Sequence, residues 1–139
     1  MKRAFTPMLA ALLLATAPLA ASAAEEKVVY HINDASVARV AMNNVNNHLS
    51  AAPDAKIVIV THGKGIDFLL NDAKDDKGEF APVVAGLTAK GVKFDVCNNT
   101  LKARKLDASA VIPEATVVPS GVAEIGKLQS QEGYVYLKP

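Results

Sequence analysis

Cys97 is the only cysteine of the chain, and it stands where a strand pattern ends and a helix pattern begins. Val92, Phe94 and Val96 alternate with Lys93 and Asp95, the period of a strand. Asn98 and Asn99 are residue types that cap helices, and Leu101 to Leu106 can continue as a turn or two of helix. A thiol at this junction lies at the carboxyl end of a strand, where ligands collect in open α/β sheets. Helix N–H groups there favour the thiolate. A lone cysteine is an inert buried thiol, an intermolecular bridge or a reactive group. Because the last residue before a helix cap is seldom deep core, the position favours an accessible, reactive thiol.

His62 is the second residue able to do chemistry. It follows the apolar run Ile57 to Val60 in Thr61-His62-Gly63-Lys64-Gly65. A histidine beside Cys97 can hydrogen-bond the thiolate or hold an anionic donor, and a Cys–His pair permits nucleophilic catalysis. The two glycines allow a tight turn and a close backbone approach. The third glycine and the acidic residue of a nucleotide fingerprint are missing. His62, Cys97 and His31 lack C-x₂-C or H-x₃-H spacing, so neither a metal nor another cofactor is expected. His31, within a strand, and His48, one position off a helix stripe, are read as structural or surface residues. Lys102, Arg104 and Lys105 follow the cysteine; they either complement a helix dipole or form a weak anion-attracting rim, with Arg104 about two turns from Cys97.

Five strands are expected to position these residues: Lys27–Ile32, Ile57–Val60, Val92–Val96 with Cys97 at its end, Ala115–Val118 and Tyr134–Leu137. Near-continuous apolar character marks the first two as parallel strands buried on both faces. Val37, Ala41, Val45 and Leu49 make one helical stripe, with Asn43, Asn44, Asn46 and Asn47 on a solvated side. Ile66, Phe68, Leu69 and Leu70 suggest a short apolar helix, and residues 71–78 a polar surface loop. A helix from Glu79 turns Phe80, Val83, Val84 and Leu87 inward and stops at Gly91. A final helix, capped by Ser120, buries Val122, Ile125 and Leu128 and ends at Gly133. Alternating strands and helices imply an α/β fold with a parallel sheet between helix layers. Right-handed crossovers gather the strand-to-helix corners on one edge. Those corners are Asn33-Asp34, His62-Gly63, Cys97-Asn98-Asn99 and Pro119-Ser120.

The amino-terminal segment reads differently. Lys2 and Arg3 precede an apolar run from Met8 to Ala20 and then Ala21-Ser22-Ala23, the pattern of a secretory signal peptide over residues 1–23. The run is short and alanine-rich for a transmembrane span, so no stable membrane insertion is expected after cleavage. Residues 24–139 then form one small domain, exported to the periplasm. Loss of Lys2 and Arg3 takes Lys plus Arg from 15 to 13 against 14 Asp plus Glu, a formal charge of −1. No basic face is implied, which argues against nucleic acid as a partner. A domain of this size buries a limited share of its surface, which makes self-association plausible.

Taken together, Asn46-Asn47-His48-Leu49, Ile57 to Val60 running into His62-Gly63-x-Gly65-Ile66-x-Phe68-Leu69, Gly91-Val92-x-Phe94-x-Val96-Cys97-Asn98-Asn99-Thr100-Leu101, Val117-Val118-Pro119-Ser120-Gly121-Val122 and Gln131-Glu132-Gly133-Tyr134 resemble the DsrE/DsrF-like family. The resemblance implies a three-layer α/β/α sandwich with a five-stranded, mostly parallel sheet. It also implies homo-oligomers, often trimers or hexamers. Some members relay sulfur as a cysteine persulfide, and Cys97 matches their cysteine at the strand end. The expected site is therefore Cys97 and His62 for chemistry, with Asn33, Gly63, Asn98, Asn99, Arg104 and Ser120 as ligand-binding residues at the corners and rim. The expected function is that of an exported sulfur-carrier or sulfur-binding protein acting on small sulfur species. The alternative is a non-catalytic module that binds a small anion or sulfur compound. The family's characterised relays are cytoplasmic and carry partner subunits, whereas this chain has an export pattern and a single cysteine.

Overall fold

The computed structural model describes Met1 and residues 25–139; the expected signal peptide lies outside them, apart from Met1. Five strands form one sheet in the order β6-β5-β2-β1-β7. They are β1 (Lys27–Asp34), β2 (Lys56–Lys64), β5 (Lys93–Cys97), β6 (Ala115–Val118) and β7 (Val135–Leu137), and every pairing in the sheet is parallel. The helices are α1 (Ala38–Ala51), α2 (Ala81–Thr88), α3 (Asn98–Ala103) and α4 (Gly121–Glu132). A two-residue hairpin, β3 (Lys74–Asp75) and β4 (Gly78–Glu79), lies outside the sheet.

The strand order explains the layers. From β1 to β6 the chain steps across the sheet in one direction, so its right-handed crossovers share a face. The last crossover runs back to β7, beside β1, and places α4 on the opposite face. Two separate apolar clusters follow from this. The larger joins Tyr30, Ile32, Ile59, Phe94 and Val96 to Met42 and Val45 of α1, Val84 and Leu87 of α2 and Leu101 of α3. The smaller contains Val29, Val58 and Val60 under Ile125 and Leu128 of α4. One face is thus covered by three helices and the other by one. Among the described residues, no helix is long and apolar enough to cross a membrane.

The expected elements appear, with altered boundaries. β2 runs on through His62 and Gly63 to Lys64, where a turn was expected. Ile66 to Leu70 forms only a single 3₁₀ turn at Asp67–Leu69, and the expected surface loop holds the small hairpin. Arg39 ties that hairpin down, donating to both Asp75 carboxylate oxygens at 2.9 Å and to the Gly78 carbonyl at 2.6 Å. Its guanidinium also sits 4.2 Å from the Phe80 ring centre. α2 starts at Ala81, not Glu79. The apolar stripe of α1 buries Ala41 and Val45 as expected, and the four asparagines are exposed. Val122 was expected to be buried but is 63% exposed. Gly121 takes the inward place on α4 instead, with Ile125 and Leu128.

Two positions constrain this fold sharply. At Gly65 a Cβ would lie 2.0 Å from the Ile32 carbonyl oxygen. Backbone faces backbone there, so no side chain can move aside. Gly65→Ala is expected to destabilise the protein by about 3 kcal/mol, read from the shift in urea midpoint at constant slope. Asp95 lies on the thinly covered face, 9% exposed. Burial, with a smaller push from Glu124, raises its carboxyl pKa from 3.8 to about 6. The folded chain therefore holds this proton more tightly than the unfolded chain. That advantage is complete below the unfolded value and is lost as pH rises through about 6. Asp95→Asn is expected to gain about 2 kcal/mol over the native protein at pH 7.5 and close to nothing at pH 4. Paired urea titrations at the two pH values check this.

Candidate functional site

β2 and β5 pair with Val60 opposite Asp95 and Thr61 opposite Val96. Continuing that register places His62 beside Cys97 at the carboxyl edge of the sheet. Alternation turns both toward the α4 face, since Val58 and Val60 already point there. Gly121, the first residue of α4, fits between them. A Cβ on Gly121 would lie 3.2 Å from Cys97 Cβ, 3.3 Å from His62 Cβ and 3.0 Å from the Thr61 carbonyl oxygen. A glycine is what lets the helix start come down onto the pair.

Cys97 is consequently 5% exposed, not the accessible thiol expected from its place in the sequence. It also takes the cap position of α3 itself, with extended backbone, and Asn98 is the first helical residue rather than the cap. Burial pushes the thiol pKa up. The Gly121 N–H, the Thr100 hydroxyl and the N–H groups of Thr100 and Asn99 lie around the sulfur, favour its thiolate and more than offset burial, holding the thiol below its ordinary value. Thr100 can give its proton to sulfur because its oxygen accepts from the Gly63 N–H at 3.0 Å. The donors thus come from two chain segments that meet only in the folded sheet.

Around this thiol the expected residues divide. Gly63, Asn99 and Arg104 line an open cleft of about 820 Å³ together with Lys64, Asp67, Thr100 and Ala103. Thr100 is shared between cleft and thiol, whereas Cys97 does not line the cleft. The basic rim is partly neutralised, because Arg104 is paired with Asp67. Asn33, Asn98 and Ser120 do not line the cleft. Asn33 is exposed at the end of β1, and the Ser120 hydroxyl accepts from the Ala123 N–H at 3.5 Å, capping α4.

Two residues missing from the expected site lie next to it. His31 Nε2 is 2.7 Å from His62 Nε2, and His31 Nδ1 is 2.7 Å from the Tyr136 hydroxyl. The imidazoles meet edge to edge, with their planes 29° apart and ring centres 4.7 Å apart. Burial, then the neighbouring His62 and Lys138, hold His31 below the ordinary histidine pKa. The strand alternation carried a partial signal, since Val29 and His31 share a face. It could not be used without knowing that β7 returns to lie beside β1. His48 is structural, as expected, with Nδ1 3.0 Å from the Tyr30 hydroxyl and Nε2 2.7 Å from Glu26. Among the described residues, no group of three or more His, Cys, Asp or Glu side chains is arranged to hold a metal ion.

Fold and site together define a small parallel α/β protein that holds one hydrogen-bonded thiol at the carboxyl edge of its sheet. The family model described as "DsrE/DsrF-like family" matches residues 9–139, and the chain belongs to that family. A solved structure described as a protein of unknown function, MTH1491 from Methanobacterium thermoautotrophicum, is 32% identical. It covers 83% of this chain and all of that one, with a TM-score of 0.75. The ychN protein from E. coli shares the fold at 14% identity and a TM-score of 0.63, covering 81% of this chain and 99% of that one. No curated protein matches the sequence.

The donor set yields a direct expectation. Thr100→Val removes the hydroxyl donor and leaves Gly63 N–H without its acceptor. The Cys97 pKa should rise, and alkylation by iodoacetamide at neutral pH should slow several-fold. The pH dependence of thiolate absorbance near 240 nm measures the first, and mass spectrometry the second.

Proposed function

We propose that this protein is a sulfur carrier that accepts sulfur on Cys97 as a persulfide. Family membership points to a sulfur-relay-related function. The observation that carries the finer reading is the thiol itself: a buried cysteine whose pKa is held down by donors from α3 and α4, with His62 alongside. A carrier needs a thiolate to attack a sulfane sulfur, and it must then keep the product from bulk solvent. In this reading the mature chain works in the periplasm after loss of residues 1–23. It does so as a homo-oligomer, for which the exposed apolar residues Val122, Val135 and Leu137 offer a surface.

A second reading rests on a separate observation. The large cleft is lined by Gly63, Lys64, Asn99 and Arg104 but not by Cys97. A module that only binds a small anion or sulfur compound would use this cleft and leave the thiol as structure.

One experiment separates them. Native protein and Cys97→Ala are incubated with thiosulfate, polysulfide or an alkyl persulfide, and intact masses are recorded. The carrier predicts addition of whole sulfur atoms, about 32 Da each, absent from the variant and reversed by reductant. An unmodified native protein beside a denatured control that reacts would overturn it. The binding module instead predicts ligand-induced thermal stabilisation that survives in Cys97→Ala.

A further inference from the structure

We propose that Tyr136, His31 and His62 form a proton relay that connects the Cys97 thiol to solvent, with His31 and Tyr136 as positioning residues that act through His62. The inference rests on the sulfur-accepting role of Cys97 and deepens it.

Tyr136 is 39% exposed on the edge strand β7. Its hydroxyl meets His31 Nδ1, and His31 Nε2 meets His62 Nε2, each at 2.7 Å. Two facing Nε2 atoms at that distance require one to donate and the other to accept. The chain therefore has two neutral arrangements. In the first, His62 Nε2–H donates to His31, and His31 Nδ1–H donates to Tyr136. His62 Nδ1 is then a bare acceptor. In the second, the Tyr136 hydroxyl donates to His31 Nδ1, and His31 Nε2–H donates to His62. His62 Nδ1 then carries the proton. Nδ1 is the nitrogen that His31 leaves free, and strand register sets His62 beside Cys97.

The balance of a sulfur-transfer turn follows. In the first arrangement His62 Nδ1 takes the Cys97 proton. A proton moves from His62 Nε2 to His31 Nε2, another from His31 Nδ1 to the Tyr136 oxygen, and the original Tyr136 proton passes to water. The second arrangement results, with one proton released and a thiolate at Cys97. The thiolate attacks the outer sulfur of a persulfide donor, R–S–SH. The Cys97 S–S bond forms, the donor S–S bond breaks, and R–S⁻ leaves with the electron pair. His62 Nδ1 protonates R–S⁻, and the relay reverses, drawing one proton from water. The net change is Cys97–SH plus R–S–SH giving Cys97–S–SH plus R–SH. No oxidant or reductant is needed.

The surroundings suit this role. His31 must stay neutral to pass protons in both directions, and its burial, His62 and Lys138 favour the neutral form. The groups facing the pair are Tyr136 and Lys138 from β7 and its tail, and Cys97 from β5. On α4, which packs over the same face, Glu124 and Lys127 are turned toward Asp95.

The test compares native protein, Tyr136→Phe, His31→Gln and His31→Asn. Cys97 alkylation by iodoacetamide and sulfur loading from an alkyl persulfide are followed between pH 5 and 9. Tyr136→Phe keeps the ring but breaks the link to solvent. It should slow loading by about tenfold, the scale seen for outer partners of a working histidine. His31→Gln and His31→Asn should move the inflection of the alkylation profile. Thermal unfolding of Tyr136→Phe, altered at an exposed position, should be unchanged, so the relay remains testable if the His31 variants fold poorly. Superimposable pH profiles and loading rates in native protein and Tyr136→Phe would overturn the relay. Native protein that alkylates but never gains sulfur would overturn the carrier reading instead, and the alkylation profiles would still judge the relay.

Discussion

A buried thiol ionises readily only if hydrogen-bond donors replace the water it has lost. Cys97 meets that condition with N–H groups from Gly121, Thr100 and Asn99 and the hydroxyl of Thr100. Much else in the structure serves this arrangement. α3 must begin directly after Cys97, so that its first N–H groups reach back to the sulfur. α4 must arrive from the other side of β6 with a glycine at its first position, because a Cβ there would press on Cys97, His62 and Thr61 together. The Gly63 N–H must hold the Thr100 oxygen so that the hydroxyl proton is free for sulfur.

The sheet order makes these meetings possible. β2 and β5 lie side by side, so two residues 35 positions apart in the chain become neighbours through strand register alone. The reversed last crossover does two things at once. It sends α4 to the open face above Cys97, and it brings β7 against β1. The carboxyl-terminal strand then carries Tyr136 to His31, and a hydrogen-bonded chain from Tyr136 to His62 is completed beside the thiol. A residue close to the end of the chain thus joins a site built from its middle.

The α4 face carries functional polar groups because it is thinly covered. Three helices seal the other face with aromatic and branched side chains. Under α4 the sheet holds His31, His62, Cys97 and the raised carboxyl of Asp95, and its apolar cluster is small. The protein gives up packing on this face and gains a place where titratable groups sit partly out of water without being lost in the core.

The sequence by itself determined the strands, the parallel sheet, the strand-end position of Cys97 and its pairing with His62. Those features follow from local periodicity and from the rule that parallel crossovers put strand-to-helix corners on one edge. It placed Gly63, Asn99 and Arg104 near one another for the same reason. It did not determine that Cys97 is covered, that Gly121 rather than Val122 faces inward, or that Thr100 serves the thiol. Those depend on how α4 docks, and a helix start can be turned by a single residue without changing its pattern of apolar side chains. Only the tertiary structure joined His31 and Tyr136, because strand alternation tells which face a residue takes but not which strand lies beside it. The neighbour of β1 was decided by the packing of α4 onto the open face, a long-range contact with no local signature.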